Sequence, residues 1–383
     1  MTSTNQPTAL FVTTSPRSAT FLTPVYATLA HSGWKPVLVF GASDSAAARP
    51  ALPYDMHEIP LQRGWSMSDV GAMRALSRVI SEEEPDLIVF GTPKAAVVSG
   101  IVSKARRVPK RVFILHGLRS SELAGPSKFL VRAAEQLADR CASYTVVVSD
   151  SLRQQAIAEG IVRTRDSGII LSGSVGGVDI DRFQPIAPQS RLELRQAAAL
   201  PLGPQIIGYF GRIAADKGIE DLYEAFVRLA SLGSGEVRLL LAGDEDPTDP
   251  VPSGVLARIE ADSRVIRLHR TTAVHRLMPV VDVGVSASRR EGLGLSLLEL
   301  GACGIPVAAT KIPGHVDAVV DGQTGLLVQV GQPEQLASAM HRLLSDAVLR
   351  QTIGQSARAR TVAEFDSNTV AAAFVAQVIA ENK

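Results

Sequence analysis

Two doubly wound α/β domains in tandem are what this sequence predicts, and three observations predict them. Short β-branched runs alternate with longer helical patterns, the alternation halts once at a turn-rich stretch and restarts, and 383 residues suit two domains of about 100 to 200 residues each. The first series of strands is Ala9–Thr13, Val37–Phe40, Leu87–Phe90, Val112–Leu115 and Tyr144–Val148. Helices fit between most of them, and Val131–Ala138 has the apolar spacing of a helix packed on a sheet. The pause runs from Ser172 to Pro188, where Gly173, Gly176, Gly177, Pro185 and Pro188 mark an interdomain connection. The second series is Gln205–Phe210, Val237–Ala242, Val265–Leu268, Val281–Ser286 and Val307–Thr310, each followed by a helix or a glycine-rich loop. The expected division is residues 1–185, residues 186–365, and a C-terminal helix within 366–383, whose Ala/Val-rich pattern over Ser367–Ile379 would pack back across the domains. Two doubly wound domains facing one another would form a cleft, and parallel sheets bind ligands at the carboxyl ends of their strands.

Composition narrows the function. With 46% hydrophobic and 20% charged residues, and Lys+Arg 39 against Asp+Glu 38, the chain reads as globular with a net charge of +1, so bulk charge does not point to nucleic acid. Cys141 and Cys303 are far apart, which fits buried free thiols in a reducing cytoplasm. Residues Met1 to Thr8 lack the pattern of a secretory signal and read as a frayed tail. No apolar run approaches the roughly 18 residues that cross a bilayer, so any membrane contact is expected to be peripheral.

Two constellations in the second half can do chemistry. Gly208-Tyr209-Phe210-Gly211-Arg212 closes a strand, and Lys217-Gly218 opens the helix Ile219–Ala230. A helix start with an Arg and a Lys beside it suits a diphosphate, Arg binding it as a fork and Lys as a point charge. A solvated pair on an ordinary loop would have the same sequence. Further on, Glu291-Gly292-Leu293-Gly294 precedes a helix carrying Glu299. The glycines allow backbone amides close to a ligand, and the two carboxylates can accept sugar hydroxyls on either side of a diphosphate. Asp179-x-Asp181 and Asp244-x-Asp246 look like metal-binding pairs, but a hard cation needs several convergent oxygens, and no metal ligand is expected at either. No Gly-x-Gly-x-x-Gly follows the first strand, which argues against a dinucleotide dehydrogenase.

The Glu291/Glu299 pair enclosing Gly-Leu-Gly, with Arg212 and Lys217 upstream, resembles the retaining glycosyltransferases of family 4, whose GT-B fold comprises two Rossmann-like domains. Thr92-Pro93-Lys94-Ala95, His116-Gly117-Leu118-Arg119, Gly173-Ser174-Val175-x-Gly177-Val178-Asp179-x-x-x-Phe183 and Glu245-Asp246-Pro247-x-Asp249-Pro250 are similar to bacterial enzymes of capsule and lipid-linked oligosaccharide assembly. The resemblance implies that Gly211, Arg212 and Lys217 serve the donor diphosphate, assisted by amides around Leu293, Gly294 and Leu295. It implies that Glu299 binds the ribose, that Glu291 and His116 act at the transferred sugar, and that Lys94 and Arg119 reach an acceptor diphosphate. Two departures stand out: Thr14-Ser15-Pro16-Arg17-Ser18 replaces the glycine-rich first loop of many relatives, and His269-Arg270 stands where a glycine is common near the nucleotide base.

By that resemblance the reaction is metal-independent transfer, with retention, from a nucleoside diphosphate sugar, a UDP-sugar being the expectation, and no cofactor. The expected acceptor is a lipid-linked saccharide in cell-surface polysaccharide synthesis, met at the cytoplasmic face of the membrane. Lys104, Arg106, Arg107, Lys110, Arg111, Arg119, Lys128 and Arg132, with Glu122 as the one acid between Lys104 and Arg132, form a basic stretch suited to an anionic membrane surface. The alternatives are a cytosolic enzyme with a small-molecule acceptor, a hydrolysing nucleotide-sugar epimerase, and a non-catalytic nucleotide-sugar-binding subunit.

Overall fold

Among the described residues, thirteen strands form two sheets, and every pairing within them is parallel. The structure is a computed structural model that describes residues 6–41, 51–62, 69–122, 125–233, 235–269, 271 and 273–380. Most of the expected tail, residues 1–5, and Arg270 lie outside the described residues. The chain divides into one unit ending at Gly177, joined by the segment from Ser367, and a second from Val178 to Asp366.

The first unit holds β1 (Thr8–Thr13), β2 (Lys35–Gly41), β3 (Asp55–Ile59), β4 (Leu87–Phe90), β5 (Lys110–Leu115), β6 (Tyr144–Val147) and β7 (Ser167–Gly168), in the order β3-β2-β1-β4-β5-β6-β7. Every residue of β1 and β4 is buried, as expected where helices cover both faces. The helix Ser367–Ala380 belongs here. It buries Val370, Phe374, Val375 and Val378, donates from Gln377 Nε2 to the Tyr144 hydroxyl at 2.7 Å, and accepts the Lys110 ammonium at the Ile379 carbonyl.

The second unit repeats the topology with β8 (Gln205–Phe210), β9 (Val237–Ala242), β10 (Val265–Leu268), β11 (Val283–Ser286), β12 (Val307–Thr310) and β13 (Gly325–Val328), ordered β10-β9-β8-β11-β12-β13. Asp282, just before β11, clamps the start of β8: its carboxylate accepts from the Ile206 amide at 2.7 Å and from Arg195 at 2.8 Å. The stretch expected to end the first domain at 185 packs here from Val178 onward. The Val178 amide donates to the Phe365 carbonyl, and one Arg358 nitrogen reaches the carbonyls of Ile180, Phe183 and Ala302.

Three strands escaped the sequence pattern. β3 is an edge strand with only Ile59 buried, β7 has two residues, and β13 is half open. β3 and β7 lack the continuous apolar run of a central parallel strand, and that of β13, Leu326 to Val328, is short.

Gly218 sits in the left-handed region (φ 65°), and a Cβ there would lie 2.1 Å from the Ala287 carbonyl oxygen. The loops after β8 and β11 therefore touch backbone to backbone. Gly218→Ala is expected to lose about 2 kcal/mol or more of stability, combining left-handed strain with a backbone clash. Urea denaturation checks this, and a midpoint unchanged from wild type would refute the close approach.

Candidate active site

In an open parallel sheet the strand order reverses once, and the crevice at that reversal lies at the carboxyl ends of the two adjacent strands. In the second unit those strands are β8 and β11. The loop after β8 carries Gly211, Arg212 and Lys217, and the loop after β11 carries Glu291 to Gly294. Lys217 Nζ and Glu291 Oε1 meet at 2.7 Å and join them. Arg289 N donates to the Asp216 carbonyl at 2.9 Å, and Arg290 pairs with the Asp216 carboxylate at 2.8 Å.

Each cation already has a carboxylate. Arg212, half exposed, meets Asp246 directly and Asp216 at 3.3 Å, and its carbonyl accepts the Tyr209 hydroxyl at 2.6 Å. The Thr248 hydroxyl and amide, together with Arg212, hold Asp246 down at about 2. Burial opposes the charge on Glu291, but Lys217 and the Ser288 hydroxyl outweigh it and leave the carboxyl below its usual range.

Gly294 (φ 75°) caps the helix Leu295–Ala302, whose first-turn amides point at the same end of the sheet. A Cβ on Gly294 would meet the His315 ring at 2.8 Å. Leu293 is buried beneath the loop, and Leu295 is half-buried at the helix start. Glu299 lies four residues beyond Leu295, on the same helix face. Its carboxyl is half-buried, and burial pushes it up to about 7, Arg182 opposing.

The first unit has its own crevice at the β1/β4 reversal, a cavity of about 320 Å³ lined by Phe11, Val12, Phe21, Phe90, Thr92 and His116 among others. His116 follows β5. Gly91 makes room for its ring, since a Cβ there would stand 2.9 Å from Nε2. Desolvation by the protein around the ring pushes its pKa down to about 4, although the residue as a whole is exposed, and the imidazole is neutral at pH 7. Thr92 accepts the Thr14 amide at 3.1 Å and so anchors the loop after β1.

The architecture and both loops match known proteins. A profile described as "Glycosyl transferases group 1" matches residues 204–346, and one described as "Glycosyl transferase 4-like domain" matches residues 18–165, together about three quarters of the chain. This chain belongs to the family 4 glycosyltransferases. It is similar to the capsular polysaccharide biosynthesis glycosyltransferase CapM of Staphylococcus aureus, 28% identical over 315 residues that cover 82% of each chain. It is also similar to a D-inositol 3-phosphate glycosyltransferase of Corynebacterium urealyticum, 33% identical over 182 residues, 44% of this chain and 42% of the relative. The Anabaena Alr3699/HepE structure in complex with UDP-glucose superposes with a TM-score of 0.80 at 23% identity, covering 97% of this chain and 99% of that one. The two doubly wound units are the GT-B fold.

Of the residues singled out from this glycosyltransferase's sequence, Arg212, Lys217, Glu291 and the helix bearing Glu299 come together in the second unit, and His116 lines the cavity of the first. Lys94 is different. It is buried, and its ammonium pairs with Asp69 rather than standing on the surface. Arg119 is exposed, its amide held by Glu135 at 2.8 Å. The basic stretch is not one patch either. Lys104 and Arg111 hold the carbonyls of Arg140 and Cys141, and Arg106 holds Ser77, near the amino end of β5. Arg119 follows that strand at its other end. Residues missed in the sequence are Asp216, Ser288 and the buried His315; the Pro313-Gly314-His315 turn after β12 was the signal available for the last.

The raised carboxyl of Glu299 has a stability consequence. Its folded pKa lies above the unfolded value, so the folded state holds a proton the unfolded state releases. That contribution is complete below about pH 4 and is lost as pH rises through about 7. Glu299→Gln should therefore gain Tm relative to wild type between pH 5 and pH 8. A Tm difference flat with pH would place the carboxyl at its ordinary value.

Proposed function

We propose that this glycosyltransferase moves a sugar from a nucleoside diphosphate donor, held by the second unit, to a lipid-linked saccharide acceptor bound by the first, with retention and without a metal. The observation that carries this reading is the meeting of Arg212, Lys217, Glu291 and a helix start at the β8/β11 reversal. As the bond from sugar to diphosphate breaks, negative charge builds on the phosphate oxygens, and fixed cations and helix amides stabilise it as it forms. Gly211 lets the backbone approach the phosphates, and the amides around Leu293, Gly294 and Leu295 add donors. Ionised Glu291 accepts hydroxyls of the transferred sugar, and Glu299 those of the ribose. His116, neutral at pH 7, can donate from one ring nitrogen and accept at the other, which suits hydroxyl contacts that strengthen in the transition state.

The HepE complex with UDP-glucose supports a UDP-sugar donor, and the likeness to CapM supports an acceptor used in capsular polysaccharide synthesis. In this reading Arg119, exposed and four residues past the end of β5, meets an acceptor diphosphate. Lys94 is assigned an indirect part, bracing the start of its helix through Asp69 beside the Thr92-held loop. The likeness to the D-inositol 3-phosphate enzyme favours a second reading, a small soluble acceptor.

Turnover against a panel of nucleotide sugars, with lipid-linked and small soluble acceptors and with chelator present, tests the reading. Transfer from a UDP-sugar to a lipid-linked acceptor is expected, whereas efficient transfer to the soluble acceptor would select the second reading, and a strict metal requirement would remove the cation assignment. Arg212→Ala and Lys217→Ala should each weaken nucleoside diphosphate binding by about 1.5 to 3 kcal/mol in calorimetry and affect free nucleoside less. His116→Ala should chiefly lower kcat, and Glu299→Ala should chiefly raise the donor KM. A normal kcat in folded His116→Ala would return that histidine to a structural role.

A further inference from the structure

The helix Pro126–Cys141 is turned inside out. Its two carboxylates, Glu135 and Asp139, are buried, while Phe129 and Leu130 are 71% and 73% exposed. The acids face inward because each has work there. Glu135 accepts the amides of Arg119 and Ser120 and the Ser120 hydroxyl at 2.6–3.2 Å, and Asp139 accepts from Thr145 and Arg163 at 2.7 and 2.8 Å. Outward, Pro126, Phe129, Leu130, Ala133 and Leu137 fall at the i, i+3, i+4, i+7, i+11 spacing of one apolar stripe, and all five are exposed. Lys128, half-buried, flanks its first turn, while Arg132 on the next turn donates to the Glu159 carbonyl. Thus the outer side of this helix carries apolar groups and cations and no carboxylate. The nearby Glu159 is turned to Gln155 at 2.8 Å.

We propose that this stripe is a docking surface for an anionic lipid bilayer, with Phe129 and Leu130 entering the headgroup boundary and Lys128 meeting lipid phosphates. Charge complementarity selects the occupant: an apolar face edged only by cations fits an anionic interface. Position gives it a purpose. The helix begins at the carboxyl end of β5, the end that bears His116, and Glu135 ties the Arg119-Ser120 loop to it. Docking through the first turns sets that loop at the lipid surface, where a lipid-linked acceptor carries its diphosphate. This purpose rests on the acceptor reading above; the docking itself does not.

Flotation of the full chain with phosphatidylcholine vesicles, with and without phosphatidylglycerol, tests it. The wild type should float with the anionic vesicles and release in salt, and Phe129→Ser/Leu130→Ser should lower partition by about tenfold or more. The Phe129→Trp variant should show quenching by brominated lipid that wild type lacks. UDP binding measured on both proteins reports folding and tests the donor site separately, so loss of the donor reading leaves the vesicle result standing. Wild type that does not float, or a double variant that floats equally, overturns the proposal. So does a wild-type dimer that the double variant converts to monomer without any vesicle binding, which would make the stripe a contact between copies.

Discussion

The contact between Lys217 and Glu291 is the constraint around which the second unit is arranged. It joins two loops far apart in sequence across the reversal of strand order, and much nearby is shaped to permit it. Gly218 has no side chain because the Ala287 carbonyl lies where one would be, and Asp216 receives Arg290 from the opposite loop. Charges this close to a low-dielectric interior are stable only in pairs. The loops therefore hold Arg212 against Asp246 and Lys217 against Glu291, and in the proposed reading a diphosphate has to offer these cations better oxygens than the carboxylates do. Free energy of binding is partly used in that exchange.

Behind Glu291 lies a chain of buried groups whose protons do not suffice for every contact. His315 Nδ1 lies 2.8 Å from the Thr310 carbonyl and must donate to it. Ser288 gives its single proton to Glu291 at 3.1 Å, so Ser286 can donate either to Ser288 at 3.1 Å or to His315 Nε2 at 3.5 Å, but not to both. The shorter contact favours Ser288. Burial, opposed by Glu291 and the Thr310 contact, holds the His315 pKa down, which keeps the ring neutral. The result is a buried, mutually hydrogen-bonded floor under the loop that carries Glu291 and Gly294.

Legibility in the sequence followed the physics of each element. Central parallel strands are covered on both faces, so their apolar runs located β1, β4, β8 and β9 to within a residue or two. Edge strands such as β3, with Asp55, His57 and Glu58 among its five residues, gave no such run. The donor loops were readable because glycine beside charge at a strand end is a local pattern. Their partners were not: Asp246 stood in a quoted motif but not as the partner of Arg212, and Asp216 and His315 drew no notice, since pairing through space has no sequence spacing. Lys94 and the basic stretch went the other way: cations that look free in a sequence here hold an aspartate or backbone carbonyls. In the helix Pro126–Cys141 the periodicity was genuine but its direction was hidden, because spacing does not say which stripe faces the core.

The two units share one topology and differ most where their strand order reverses. In the second, that place is filled by paired ions, Arg212 with Asp246 and Lys217 with Glu291. In the first it is a largely apolar cavity with a neutral His116 at its rim. The fold dictates only that a crevice exists there; the loops decide its chemistry. A charged crevice suits a ligand that arrives anionic and becomes more so during reaction. A neutral, apolar one suits a partner that must present a hydroxyl without being held by its charge, because a strongly bound ground state would oppose the step that follows.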